Sequence, residues 1–269
     1  MFHSMLLAVA LFAPVSDPPP SEGALGGGTD APATQREPGD EGGEWIALFD
    51  GRTLEGWRGN PRFWSVENGC IVGRSTPENP CEITTYLHHE KPYRDFILEF
   101  DIKLEGDGAN SGMQYRSKPE PGHGGDGTDL SGYQADIDAR HTYTGILYET
   151  YGRGIAVGRG QAIRFDADRT KREIEPTRPD AELKAHLQRV DADPETEGWH
   201  RYRVVADGRR LEHWIDGERV MLAEDHHPSF APEGIFALQV HSGPPMTVRV
   251  RNIRIRPIGE KKLPENVSR

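Results

Sequence analysis

Phe96, Ile97, Leu98, Glu99, Phe100, Asp101, Ile102, Lys103 and Leu104 decide the fold class of this chain. Successive side chains of an extended backbone point to opposite sides. Phe96, Leu98, Phe100, Ile102 and Leu104 therefore share one face, and Glu99, Asp101 and Lys103 the other. This is the period of a half-buried β-strand, with one face expected in a core and the other wet.

The same rhythm runs on both sides of this strand, from residue 45 onward. Short apolar-alternating runs are separated by turn pairs at Asp50-Gly51, Asn68-Gly69, Asp207-Gly208 and Asp216-Gly217. Residues 200–206, 211–215 and 218–222 are joined by two such turns and read as a three-stranded meander. Residues 252–258 close the domain with Ile253 and Ile255 inward. Only residues 180–190 carry a helical spacing, with Leu183, Leu187 and Val190 on one face. Many strands, one stray helix and no repeat of 20 to 50 residues indicate an all-β sandwich or jelly roll of two antiparallel sheets. The chain divides as follows: residues 1–16 a signal peptide, 17–43 a linker, 44–258 the folded domain and 259–269 a polar tail.

With 269 residues the chain has room for one large β domain, and its net charge of -11 repels phosphate backbones and anionic membrane surfaces. Nucleic acid is excluded as a partner on that ground. Residues 5–13 form an apolar run too short to span a bilayer and of the length of a signal-peptide core, so a periplasmic or secreted location without a transmembrane anchor is expected. A fortuitous apolar start is the alternative. Residues 17–43 are rich in Pro, Gly, Ser, Asp and Glu and lack the apolar surface to offset chain entropy. Cys70 and Cys81 either join in a disulfide across a loop or sit separately as small core residues.

Several strands carry hydrogen-bonding groups where a solvated face would carry Lys, Glu and Thr. Gln134, Asp136 and Asp138 share a face in residues 133–138, opposite Tyr133, Ala135 and Ile137. Gln114 and Arg116 share a face in residues 113–116, and Gln239 and His241 in residues 235–241. Tyr148 and Glu149 end the strand that begins at Gly145, and His213 lies beside Trp214. Singly, each is more often a solvated side chain or a locally satisfied histidine. Gathered on one concave face, they are what a sugar requires: planar polar groups for hydroxyls, an aromatic for the apolar ring face and carboxylates for proton transfer.

The order of motifs resembles the 3-keto-disaccharide hydrolase family. The resemblance rests on Leu48-Phe49-Asp50-Gly51 with Gly56-Trp57, on residues 110–116 and 132–138, on Thr144-Gly145 to Glu149, on Gly198-Trp199-His200, on residues 213–217 and on residues 251–255. Gly132, where many relatives are acidic, and residues 160–197 depart from the family pattern. The family resemblance implies a concanavalin-like jelly roll acting on glycosides whose sugar a partner 3-dehydrogenase has oxidised at C3. A ketone there acidifies the C2 hydrogen, so a base removes it, the glycosidic oxygen leaves and water adds to the enone. Such chemistry assigns Glu149 or Asp136 as base, His241 or Tyr148 as acid, and Arg116 with Gln134 as enolate stabilisers. Gln114, Gln239, His213 and Trp214 complete the expected sugar contacts. No cofactor is indicated with certainty; a divalent cation is left open, with Asp138 either holding it or orienting a partner. The alternatives are a lectin-like module without turnover and a conventional glycoside hydrolase using Asp136 with Glu149. Should Asp136 and Glu149 stand on opposite faces, the constellation dissolves, only the fold and the family resemblance survive, and the lectin-like alternative becomes the better reading.

Overall fold

The computed structural model describes residues 43–120, 127–176 and 178–259. The strands are β1 (Ile46–Ala47), β2 (Trp57–Arg58), β3 (Trp64–Glu67), β4 (Cys70–Ser75), β5 (Thr85–His89), β6 (Phe96–Glu105), β7 (Asn110–Pro119), β8 (Leu130–Asp138) and β9 (Leu147–Thr150). They continue with β10 (Gly154–Val157), β11 (Ala162–Phe165), β12 (Lys171–Glu173), helix α1 (Asp180–Ala192), β13 (His200–Asp207), β14 (Arg210–Ile215), β15 (Glu218–Asp225), β16 (Ile235–Val240) and β17 (Met246–Pro257).

Two sheets face each other. One orders its strands β12-β11-β15-β14-β13-β6-β17-β4-β3, with β1 also against β17, and the other β10-β9-β8-β7-β16-β5-β2. The expected meander is present, β13 pairing with β14 and β14 with β15, both antiparallel. The β11–β15 pair is parallel. Together with α1, the one helix among the described residues, this is the jelly-roll sandwich that the alternation indicated.

The core lies between the sheets. Phe96, Leu98, Phe100 and Ile102 of β6 meet Tyr115 and Tyr133 of β7 and β8 and Phe236 and Leu238 of β16 in one cluster. Phe96 and Phe236 cross edge to face at 4.9 Å, a favoured aromatic geometry. Leu183 and Leu187 bind α1 to this core. Cys70 and Cys81 are both buried and no disulfide joins them, so the separate-core alternative holds; the Cys81 thiol donates to the carbonyls of Ile83 at 3.1 Å and Val240 at 3.5 Å.

The outer face of β6 departs from the wet surface that the alternation suggested. Glu99 is buried, receiving hydrogen bonds from Arg201, Arg203 and Arg254. Burial alone would raise its pKa, but three guanidinium groups outweigh that and hold it near 2. The signal-peptide segment, the linker apart from Gly43 and the C-terminal tail apart from Gly259 lie outside the described residues. No helix among the described residues is long and apolar enough to cross a membrane.

Candidate active site

Residues directly opposite one another on paired strands project to the same side. The β7–β8 register sets Gln114 against Gln134 and Gly112 against Asp136. β8–β9 sets Gln134 against Tyr148, and β16–β5 sets Gln239 against Tyr86. These residues therefore share the face of the smaller sheet turned away from the core. A cleft of about 750 Å³ opens over it, lined by Tyr86, Asn110, Gln134, Asp136, Tyr148 and Gln239, with His241 among the groups at its mouth.

The floor is a connected set of hydrogen bonds. Ser117 donates to Gln114 Oε1 at 2.6 Å, and Gln114 donates to Gln134 Oε1 at 2.9 Å and to the Thr150 hydroxyl at 2.8 Å. Gln134 in turn donates to Asp136 Oδ1 at 2.5 Å and to Gln239 Oε1 at 3.4 Å, and Gln239 donates to the Tyr86 hydroxyl at 3.0 Å. The orientation of each amide is fixed by its neighbour. Gly112 makes room for this: a Cβ there would lie 2.7 Å from Gln134 Cγ, so a side chain would push Gln134 off Asp136.

Asp136 is the chemically distinctive member. Its side chain is buried, and burial, assisted by the charge of Asp138, raises its pKa from 3.8 to about 7 against the opposing pull of the Gln134 hydrogen bond. A carboxyl group poised there both takes and returns a proton at neutral pH. Burial also raises the Tyr86 phenol, which stays protonated and, already accepting from Gln239, keeps its own hydrogen to donate. Tyr148 is half-buried on β9 and His241 is exposed at the end of β16.

Five expected site residues are placed elsewhere. Glu149 pairs in register with Tyr133, whose ring belongs to the core, so it projects to the opposite face from Asp136. There it is ion-paired with Arg153, which also holds Asp225, and accepts from Ser229 at 3.1 Å. Arg116 follows a break in the β7–β8 register and has φ 47°, which turns it out of the Gln114 face. Its guanidinium is buried, donating to the carbonyls of Arg94 and Gly208 and to Asp95. His213 is wholly buried between the sheets beside Tyr115 and Tyr202, and burial lowers its pKa to about 3. Trp214 lies on the outer face of the larger sheet, in an apolar group with Ile97 and Val205. Asp138 organises a turn, accepting from the backbone of Thr142, Tyr143 and Thr144 and from the Thr144 hydroxyl, so it orients its own loop.

Gln114 forms part of the floor network beneath the cleft, whereas Gln134, Asp136, Tyr148, Gln239 and His241 line it. Tyr86 and Asn110 were not singled out from the sequence. Tyr86 was legible in principle, since Thr84, Tyr86 and His88 alternate with the buried Thr85 and Leu87.

Among the described residues one group offers converging metal-ligating atoms: His141, Asp191 and His200. It is knit by hydrogen bonds, with Asp191 bridging His141 at 2.7 Å and His200 at 3.0 Å, and Asp216 against the other His200 nitrogen at 2.7 Å.

The fold and cleft define a jelly-roll sandwich with a polar, concave sugar-sized face. This chain belongs to the family of 3-keto-alpha-glucoside-1,2-lyase-like domains, whose model matches residues 44–256. A 3-keto-disaccharide hydrolase of Bacteroides thetaiotaomicron is 31% identical over 96 residues, covering 32% of each chain. The match thus spans about a third of that relative's length. A crystal structure from Parabacteroides distasonis, named as a candidate glycosyl hydrolase, shares the fold with a TM-score of 0.50 at 16% identity, covering 80% of this chain and 94% of its own.

Proposed function

We propose that this domain cleaves the glycosidic bond of 3-keto glycosides by elimination followed by hydration. The observation that carries this reading is the place of Asp136: a buried carboxyl group in the middle of a sugar-sized cleft, held through one oxygen by Gln134. Asp136 takes the proton from C2, the electron pair forms the C1–C2 double bond, and the C1–oxygen bond breaks. The departing oxygen collects a proton from Tyr148 or His241. The enolate oxygen on C3 is met by neutral donors, the Tyr86 hydroxyl and the Asn110 amide, both of which line the cleft. Water then adds across the enone, its hydroxyl to C1 and its proton to the Tyr148 or His241 that served as acid, while Asp136 returns its proton to C2, so both groups are ready for another cycle. The ketone must be supplied by an oxidation at C3, the work of a sugar dehydrogenase. The apolar run at residues 5–13 supports export, which N-terminal sequencing of the mature protein checks.

The opposite placement of Glu149 removes the two-carboxylate hydrolase that paired it with Asp136, and it favours a lectin-like module more than the sequence alone did. Catalysis is preferred because a residue that merely grips a hydroxyl gains nothing from being desolvated until its pKa reaches about 7. Incubating the protein with a glucoside and with its 3-keto form, and following aglycone release, separates the readings. Release from the keto form alone supports elimination; binding of both without release supports the module.

A further inference from the structure

Among the described residues, five large hydrophobic side chains are markedly exposed: Ile46, Ile83, Tyr143, Tyr151 and Ile155 at 45%, 54%, 42%, 59% and 51%. Four of them, all but Ile46, line the cleft over Asp136. Exposed hydrophobics scattered singly need no explanation, but a ring of them around a polar floor does.

The ring is also built. Tyr151 holds a left-handed backbone conformation, φ 57°, which a bulky residue adopts only at an energetic cost, and its hydroxyl is hydrogen-bonded to Asp129. Its ring is thereby fixed in place beside the opening. Tyr143 is set by the Asp138 turn, its N–H donating to Asp138 Oδ1 at 2.7 Å. Ile155 stands opposite Tyr148 in the β9–β10 register. Ile83 approaches from the far side, ahead of β5.

Several polar groups at the same level are engaged with their neighbours, while the exposed Glu82 and His241 also reach the opening. Asp129 accepts from Tyr151 and from the N–H of Leu130, and Thr84 and Ser242 hydrogen-bond to each other. The floor therefore has the donors and acceptors for one sugar, and the mouth adds four large exposed hydrophobic side chains among its polar groups. A second sugar would bring hydroxyls against Ile83 and Ile155, which offer neither a hydrogen bond nor an aromatic face.

We propose that the mouth is a subsite for an apolar aglycone, so that the preferred substrates are 3-keto glycosides of aryl-bearing or bulky alkyl alcohols rather than of a second sugar. This rests on the keto-glycoside reading above.

The test compares the 3-keto forms of methyl, benzyl and cyclohexylethyl glucoside and of a glucose–glucose disaccharide. Alcohol leaving groups are chosen because a phenolate would leave faster whatever the subsite did. We expect kcat/KM for the benzyl and cyclohexylethyl substrates to exceed that for the methyl one by at least about tenfold, the scale of placing a few methylene-sized groups in an apolar site. In Tyr151→Ala, and separately in Ile83→Ser with Ile155→Ser, the benzyl-to-methyl ratio should fall towards one, with folding checked by thermal melting. Equal kcat/KM for methyl and benzyl substrates, or a clear preference for the disaccharide, overturns the subsite. Should no keto substrate turn over, the elimination reading fails, and calorimetric affinities of the benzyl and methyl keto-glucosides for the same protein still decide the subsite. Tighter binding of the benzyl compound supports it, and equal binding overturns it.

Discussion

Asp136 and Glu149 lie on adjacent strands of one sheet yet face opposite ways, because Asp136 shares the side of Gln134 and Tyr148 whereas Glu149 shares that of Tyr133. Asp136 looks into the cleft and Glu149 into an ion-paired interior with Arg153 and Asp225. A strand can present both residues of a Tyr-Glu pair to one substrate only by breaking its pleat, and β9 is regular there. Their substitutions should therefore have opposite signatures.

Asp136→Asn keeps the shape and removes the proton acceptor. Turnover of a 3-keto glucoside should fall on the order of 10² to 10⁴, the usual contribution of positioned acid–base catalysis. In the native protein kcat/KM should rise as pH increases through about 7, since the base works only when ionised. A flat profile between pH 5 and 9 would remove Asp136 from that role.

The same substitution should change stability in the other direction. A carboxyl group whose folded pKa is raised from 3.8 to about 7 destabilises the fold as pH climbs past its unfolded value, and increasingly up to the folded one. At pH 8 Asp136→Asn should thus be more stable than the native protein, by on the order of 1–3 kcal/mol, and the gap should close near pH 4. Denaturant melts at the two pH values measure this.

Glu149→Gln should retain most of its turnover and lose stability. It strips Arg153 of one of its two carboxylate partners, a change worth roughly 1–3 kcal/mol for a buried charge-assisted pair. A folded Glu149→Gln protein as inactive as Asp136→Asn would return Glu149 to the chemistry.

His200 links stability to alkaline pH. Burial alone would lower its pKa, but the carboxylates of Asp191 and Asp216 outweigh burial and raise it from 6.5 to about 9. The stabilising contribution of its proton is complete below 6.5 and is lost as pH rises through 9. His200→Asn should flatten that part of the profile, removing a dependence on the order of 2–3 kcal/mol. Thermal melts from pH 6 to 10 check it.

Gly112→Ala tests the floor. With a Cβ 2.7 Å from Gln134 Cγ, the glutamine must shift and its hydrogen bond to Asp136 breaks. Turnover should drop about tenfold or more, with the ascending limb of the pH profile moving upward, because the Gln134 hydrogen bond favours the ionised carboxylate. An unchanged pH profile would detach Gln134 from Asp136.

Local periodicity determined the meander, the core face of β6 and the helix at α1, because period-two burial and the i, i+4, i+7 spacing of Leu183, Leu187 and Val190 are written in residues close in the chain. It likewise set Gln134 and Asp136 on one side and Gln239 with His241 on another strand's matching side. What it did not contain was register between strands distant in sequence, and there the tertiary structure decided. The turn of Arg116 out of its face depends on a break against β8, the burial of His213 on a second sheet closing over it, and the inward side of Glu149 on which face of β9 that sheet covers. Asp138 became a turn acceptor through Thr142, Tyr143 and Thr144, which its own strand pattern does not reveal. The raised pKa of Asp136 is likewise tertiary in origin, since desolvation is a property of everything packed around a group and not of the residues beside it in the chain.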